Sequence, residues 1–316
     1  MFKRSISKIT IFVICSLGLS YTNQIIAQEI SDETIIGRWD LEVTIDDKIS
    51  PSWLEVYKSG YGTLVGRFVY AFGSARPVSE VEMSGSSFSF SIPRQWEQGE
   101  LDMIISGTIE DDKLSGVIRY TDGTIQHWNG VRAPKLEYNP NVAWGASVAL
   151  FDGSNIDAWY TEGENQWKIV DGILINPQAG NNLISLEKFD NFKLEVTFRY
   201  PEGSNSGIYL RGRYEVQIED NHGKEPSSTL FGGVYGFLTP NILAAKKAGE
   251  WQTYEITLIG RRVSIVANGH AIITDQNIPG ITGGALDSKE GEPGPIFLQG
   301  DHGPVEFKSI VLTPAE

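Results

Sequence analysis

The densest chemistry in the chain lies between Ile208 and Asp220, in the run Ile208-Tyr209-Leu210-Arg211-Gly212-Arg213-Tyr214-Glu215-Val216-Gln217-Ile218-Glu219-Asp220. Side chains alternate faces along a strand. Read as one strand over Gly207–Asp220, the run puts Ile208, Leu210, Gly212, Tyr214, Val216 and Ile218 on a core face. The other face carries Tyr209, Arg211, Arg213, Glu215, Gln217 and Glu219, a row of polar groups with one aromatic ring. Solvated outer faces are usually richer in Lys, Thr and Ser. Guanidinium, carboxylate and amide groups on a rigid strand give directional hydrogen bonds to hydroxyls, and rings stack on sugar faces. The row therefore reads as a sugar-binding face in preference to a solvent face with cross-strand ion pairs.

Three further segments could converge on it. Gly232-Gly233-Val234-Tyr235-Gly236 holds one aromatic in a loop, and Lys246-Lys247-Ala248-Gly249-Glu250-Trp251 groups cation, acid and indole. Leu298-Gln299-Gly300-Asp301-His302-Gly303 offers amide, acid and imidazole on a turn. Taken singly, each is more often structural than catalytic. His127, His222 and His270 lack a metal-like spacing, so a divalent cation would need oxygen ligands gathered from separate strands. Gly203-Ser204-Asn205-Ser206-Gly207 has Asn where a nucleophile elbow needs its nucleophile. Gly232–Gly236 has neither dinucleotide nor phosphate-loop spacing.

The elements that must position these groups are β-strands. Of 316 residues, 41% are hydrophobic and 21% charged, as in ordinary globular proteins, and 34 Gly with 14 Pro favour short strands and turns. Forty acidic against 26 basic residues give a net charge of −14, which argues against nucleic-acid partners and anionic membranes. Residues 1–27 read as a cleavable signal peptide. Lys3, Arg4 and Lys8 precede an apolar Ile11–Leu19, with cleavage expected after Ala27 and a secreted or periplasmic destination. The one cysteine, Cys15, falls inside that segment, so the mature chain has no thiol chemistry. No other apolar run is long enough to span a bilayer.

Residues 28–133 alternate in short segments separated by turn pairs such as Asp111-Asp112 and Asp122-Gly123. They predict an antiparallel meander of six to eight strands closing into a small β-barrel, whose opening Gly37-Arg38-Trp39 resembles the start of lipocalin-like barrels. Residues 134–145, rich in Pro and Asn, read as a linker. Residues 146–316 form a second β-series with an Asn268-Gly269 hairpin signal, suited to a two-sheet jelly roll. Short helical pieces are expected only near Asn155–Trp159 and Asn241–Ala245. Trp53, Trp96 and Trp128 of the first region read either as sugar platforms or as buried core.

In this second region the motifs fall in a recognisable order. They are Leu150-Phe151-Asp152-Gly153 with Trp159, Trp167 with Asp171-Gly172, Asn205-Ser206-Gly207-Ile208, Tyr214-Glu215-Val216-Gln217-Ile218, Tyr235-Gly236, Gly249-Glu250-Trp251 with Tyr254-Glu255-Ile256, and Leu298-Gln299 with His302-Gly303 and Val305. Together they resemble the 3-keto-disaccharide hydrolase domain family over about residues 146–314. The chain departs from the family pattern at Lys308 and Ser309, and by Gly300 inserted before Asp301-His302-Gly303.

The resemblance implies a concanavalin-like jelly-roll β-sandwich. It also implies cleavage of glycosides already oxidised to a ketone at C3 by a separate oxidoreductase, a glycoside 3-dehydrogenase. A C3 ketone acidifies the C2 hydrogen, and a base can remove it while charge gathers on the ketone oxygen. Elimination of the C1 substituent and addition of water then give net hydrolysis. On this reading Glu215 is the base, held ionised by Arg211 and Arg213. Arg211, Lys246 or a divalent cation stabilises the enolate oxygen, and His302 is the acid. Gln217, Tyr235 and Gln299 hold hydroxyls, with Arg213 and Lys246 also at the substrate. Two alternatives stay open. Glu215-Val216-Gln217-Ile218-Glu219 resembles the paired-glutamate strand of laminarinases, which would make a retaining glycosidase. A non-catalytic lectin would use the same face for binding alone.

Overall fold

The computed structural model describes residues 33–316. The expected signal peptide, its cleavage point and Cys15 lie outside the described residues.

The first lobe consists of β1 (Gly37–Ile45), β2 (Lys48–Ser59), β3 (Thr63–Val69), β4 (Arg76–Val78), β5 (Glu82–Ser84), β6 (Ser87–Ile92), β7 (Met103–Glu110), β8 (Lys113–Arg119) and β9 (Ile125–Arg132). They form one antiparallel sheet in the order β4-β3-β2-β1-β9-β8-β7-β6-β5. The nine strands exceed the expected six to eight, and β4 and β5, three residues each, are too short to show an alternating pattern. The meander is joined by tight turns: Asp46-Asp47 and Asp111-Asp112 have φ between 48° and 60°. Left-handed turns of this kind match the natural twist of the strands they connect. The sheet curls until β4 lies against β6, around a core that includes Trp39, Leu54, Phe68, Phe88 and Trp128.

The second lobe is a jelly-roll sandwich, and the chain is all-β as expected. Its strands are β10 (Val148–Phe151), β11 (Trp159–Tyr160), β12 (Lys168–Val170), β13 (Ile173–Asn176), β14 (Leu183–Phe189), β15 (Phe192–Arg199), β16 (Asn205–Leu210), β17 (Tyr214–Glu219), β18 (Gln252–Ile259), β19 (Arg262–Ala267), β20 (His270–Asn277), β21 (Gly294–Leu298) and β22 (Val305–Pro314). The larger sheet runs β12-β13-β22-β15-β18-β19-β20, with β10 also paired to β22. The smaller runs β11-β14-β21-β16-β17. Leu194, Phe198, Tyr254 and Ile256 of the larger sheet share one core with Ile208, Tyr214, Val216 and Leu298 of the smaller. Among the described residues helix is confined to residues 33–35. The short helices expected at 155–159 and 241–245 are turns and loop instead. At the first, Asn155 Oδ1 accepts the Asp157 N–H, as Asp152 Oδ1 accepts that of Ser154. Such Asx turns compete with helix formation.

The expected single strand over 207–220 is a hairpin. Leu210 pairs with Tyr214, and Arg211-Gly212-Arg213 make the turn. Arg211 (φ 52°) and Gly212 (φ 68°) are both left-handed. Because the turn holds an odd number of residues, Tyr209 and Glu215 still face the same way as directly opposed partners. Nearly every residue of β16 and β17 is buried, since both faces of this hairpin are covered.

Part of that cover comes from the first lobe. Trp53 is fully buried in the second lobe's core, edge-on to Phe237 with ring centroids 5.4 Å apart. Backbone and side chains also cross: Ser288 Oγ donates to Leu41 O at 2.7 Å and the Gly284 N–H to Ala71 O at 2.9 Å. Buried Asp40 faces buried Glu290.

Two measurements check this junction. Trp53→Ala is expected to cost about 3–5 kcal/mol in chemical denaturation; a loss near 1 kcal/mol would mean that the lobes do not depend on this plug. Burial, and then the charge of Glu290, push the Asp40 carboxyl up to about 8. The folded chain therefore keeps a proton that the unfolded chain sheds near 3.8. Stability is expected to fall as pH rises from about 4 to about 8, and Asp40→Asn to make that decline shallower in thermal unfolding.

Candidate active site

A pocket of about 210 Å³ opens on the covered face of the smaller sheet. Asn205 and Tyr209 reach it from β16, Glu215 and Gln217 from β17, and Phe297 from β21. Gln299, Asp301 and His302 follow β21 on their turn, and Tyr235 comes from the 232–236 loop. Asn182, the glycines 283 and 284, and Phe72 and Gly73 of the first lobe complete the wall.

Glu215 is 3% exposed. Its backbone N–H donates to Thr282 Oγ1 at 3.0 Å, and its carbonyl accepts the Tyr235 N–H at 3.0 Å. The carboxylate lies over Gly207 of the opposing strand, where any Cβ would collide with Oε1. The Tyr209 hydroxyl sits 3.0 Å from Glu215 Oε2 and 2.8 Å from Gly283 O, one proton shared between two acceptors. The Tyr209 ring is fixed by stacking on Phe297, 4.3 Å between centroids and 11° from parallel. Burial pushes the Glu215 carboxyl up to about 8. The Tyr209 hydrogen bond and the charge of His302 pull it down, while Asp301 and Glu219 add to the rise. A carboxyl poised there can hold or take a proton near neutrality.

His302 is its counterpart. Its Nδ1 lies 2.7 Å from Asp301 Oδ1 and the ring is half-exposed. The Asp301 hydrogen bond raises the imidazole above its ordinary value against an opposing effect of burial, and the charges of Asp301 and Glu215 add to the rise. Gln217 Nε2 donates to Asn205 Oδ1 at 3.1 Å and to Glu219 Oε2 at 3.2 Å, leaving its own Oε1 buried without a partner. Gln299 Oε1 is likewise buried and unpaired. Buried acceptors in folded proteins are usually hydrogen-bonded. Burial also keeps the Tyr235 phenol protonated, with its pKa raised.

Five of the eight expected residues thus meet in one pocket: Glu215, His302, Gln217, Tyr235 and Gln299. Three do not. Arg211, in the hairpin turn, sends its guanidinium to Asp190 (2.9 Å), the Tyr214 hydroxyl (3.0 Å) and Gly260 O (3.1 Å). Arg213 donates to Asp287 at 2.6 Å and to Glu292 O at 2.7 Å. Lys246 Nζ donates to Trp251 O at 2.9 Å. The arginines therefore do not hold Glu215 ionised, and its burial works in the opposite direction. The expected strand over 207–220 is interrupted at 211–213, and residues in a turn leave the alternation. Tyr209 belongs to the polar row of the sequence and Asp301 to the turn that carries His302, whereas Thr282, Gly283 and Phe72 come from distant segments with no local signal. Trp53 and Trp128 are core, and Trp96 is 52% exposed. Among the described residues no group of three His, Cys, Asp or Glu side chains is placed to hold a metal ion.

The 3-keto-alpha-glucoside-1,2-lyase-like domain family matches residues 146–313, more than half of the chain. The chain belongs to this family. A 3-keto-disaccharide hydrolase of Bacteroides thetaiotaomicron is 32% identical over an alignment of 97 residues, and the match covers 27% of this chain and 33% of that protein, a third of the relative's length. Two crystal structures of proteins proposed to be glycosyl hydrolases of Parabacteroides distasonis are also similar. One is 25% identical with a TM-score of 0.46 and covers 57% of this chain and 93% of its own. The other is 24% identical with a TM-score of 0.42, covering 53% and 98%.

Tyr209→Phe tests the central pair. Losing a hydrogen bond that favours the ionised carboxylate should move the Glu215 titration further above 8, followed by carbon-detected NMR of labelled glutamate. An unmoved titration would mean that the hydroxyl serves Gly283 alone.

Proposed function

We propose that this family member cleaves 3-keto-glycosides, with Glu215 as the base. One observation carries the reading: a carboxyl buried in a sugar-sized pocket and pushed up to about 8 stands on the same wall as an imidazole whose pKa is raised. Glu215 removes the C2 proton of the oxidised sugar, and the electron pair moves into the C2–C3 bond with charge on the ketone oxygen. The Tyr235 hydroxyl, which burial keeps protonated, is the donor for that oxygen. The enolate collapses to expel the C1 substituent, which takes a proton from His302. Water then adds across the new C1–C2 double bond: it returns a proton to His302 as its hydroxyl joins C1, and Glu215 gives its proton back to C2, giving net hydrolysis. Gln217 Oε1 and Gln299 Oε1 accept the remaining sugar hydroxyls.

The name of the Bacteroides relative supports the substrate class. A ketone at C3 must be supplied by an enzyme that oxidises glycosides, so the reading implies a dehydrogenase partner upstream. The basic and apolar start of the chain supports export to the periplasm or beyond. The retaining-glycosidase alternative needs a second carboxylate across the bond, and Glu219 instead accepts from Gln217 Nε2 at 3.2 Å.

Matched plain and 3-keto glucosides, incubated with the protein with and without chelator and followed by NMR, test the class: aglycone release from the keto sugar alone is expected. Release from the plain glucoside would point to an ordinary glycosidase, and binding without product to a lectin. Glu215→Gln should lower kcat by about 10²–10⁴-fold with the fold intact. Because the base works ionised and His302 works protonated, kcat/KM should follow a bell-shaped pH profile in the wild type, rising as one group deprotonates and falling as the other does.

A further inference from the structure

The pocket is finished by a segment that lies outside the family domain. That domain begins at residue 146, yet Phe72 and Gly73, just beyond β3 of the first lobe, line the cavity. They are held there tightly. The Gly284 N–H donates to Ala71 O at 2.9 Å, and Gly283 approaches so closely that any Cβ on it would collide with Gly73 O. Gly283 is also the residue whose carbonyl accepts from Tyr209. The first-lobe loop and the Glu215–Tyr209 pair are thus braced on the same two residues.

On this loop the ring of Phe72 is 55% exposed although it faces a pocket. The Trp96 indole, 52% exposed, packs on the neighbouring Gly73. An exposed aromatic ring on a pocket wall, with a second exposed ring packed on the adjoining residue, offers a surface for ligand contact. The cavity volume says what binds. At about 210 Å³ it is below the roughly 300–1,000 Å³ of sites that enclose a drug-sized ligand. It has room for one hexose ring, so the second ring of a disaccharide must rest on the rim.

We propose that Phe72, extended by Trp96, is the platform on which the leaving-group sugar stacks, so that the first lobe sets the enzyme's preference for two-ring substrates. This rests on the reading of the pocket as a keto-glycoside site. The substrate class it predicts is a 3-keto-disaccharide or a 3-keto-glucoside with a flat apolar aglycone, in preference to a small alkyl glycoside.

The test compares 3-keto-maltose with methyl 3-keto-α-glucoside for the wild type, Phe72→Ala, Phe72→Trp and Trp96→Ala. Phe72→Ala is expected to lower kcat/KM for the two-ring substrate about tenfold, at least fivefold more than for the methyl glycoside, and to act mainly on KM. Phe72→Trp should restore the preference. An equal loss on both substrates, or no loss on either, overturns the proposal. Thermal unfolding confirms that the variants fold. Should the wild type turn over neither keto sugar, the catalytic reading fails by itself, and calorimetric titration with plain maltose decides the platform. Weaker binding by Phe72→Ala then upholds it; unchanged binding, or none by the wild type, overturns it.

Discussion

The pocket's chemistry depends on one cross-strand pair, Tyr209 on β16 directly opposite Glu215 on β17. Register in a hairpin is set by its turn, and a slip of one residue would send every side chain to the other face. With the turn at Arg211-Gly212-Arg213, the carboxylate faces the pocket and Val216 the core. The hairpin is covered on both faces, so the carboxyl is cut off from water and its pKa rises. One hydroxyl and a nearby imidazole temper that rise. The balance leaves a group able to exchange a proton at the pH where sugars are handled.

The arginines of the same hairpin do different work, and their absence from the pocket is informative. A buried guanidinium needs partners, because an unpaired charge in the interior is costly. Arg211 finds Asp190 and the Tyr214 hydroxyl; that hydroxyl donates to Glu290 Oε1 at 2.8 Å, and Glu290 also binds Arg261. Arg213 grips Asp287 and Glu292 O, at either end of the segment that carries Ser288 to the first lobe's Leu41. Positive charge is thereby spent on fixing the hairpin turn and the lobe junction. Glu215 is left with His302 as its cationic neighbour, so the two groups are set apart by environment rather than by competing for arginine.

The lobe junction and the pocket are mechanically one unit. Thr282 accepts the Glu215 N–H, Gly283 accepts from Tyr209, and Gly284 donates to Ala71. Three successive residues therefore hold Glu215, its hydrogen-bond partner and the neighbouring lobe. A change in how the lobes meet would be felt at the carboxylate, because packed interiors transmit small displacements.

Strand alternation, turn pairs such as Asp111-Asp112 and the ordered motifs from Leu150 to Val305 were enough to read two β-rich regions, the jelly roll and the family. They also singled out Glu215, Gln217, Tyr235, Gln299 and His302, since residue type and strand period are local properties of the chain. Local pattern could not show that Arg211 and Gly212 turn back with positive φ, because an arginine seldom adopts that conformation and nothing nearby announces it. Nor could it show that Gly73 meets Gly283 across more than two hundred residues, or that burial rather than arginine governs the charge of Glu215. Those outcomes depend on which surfaces exclude water from one another, and only packing of distant segments decides that.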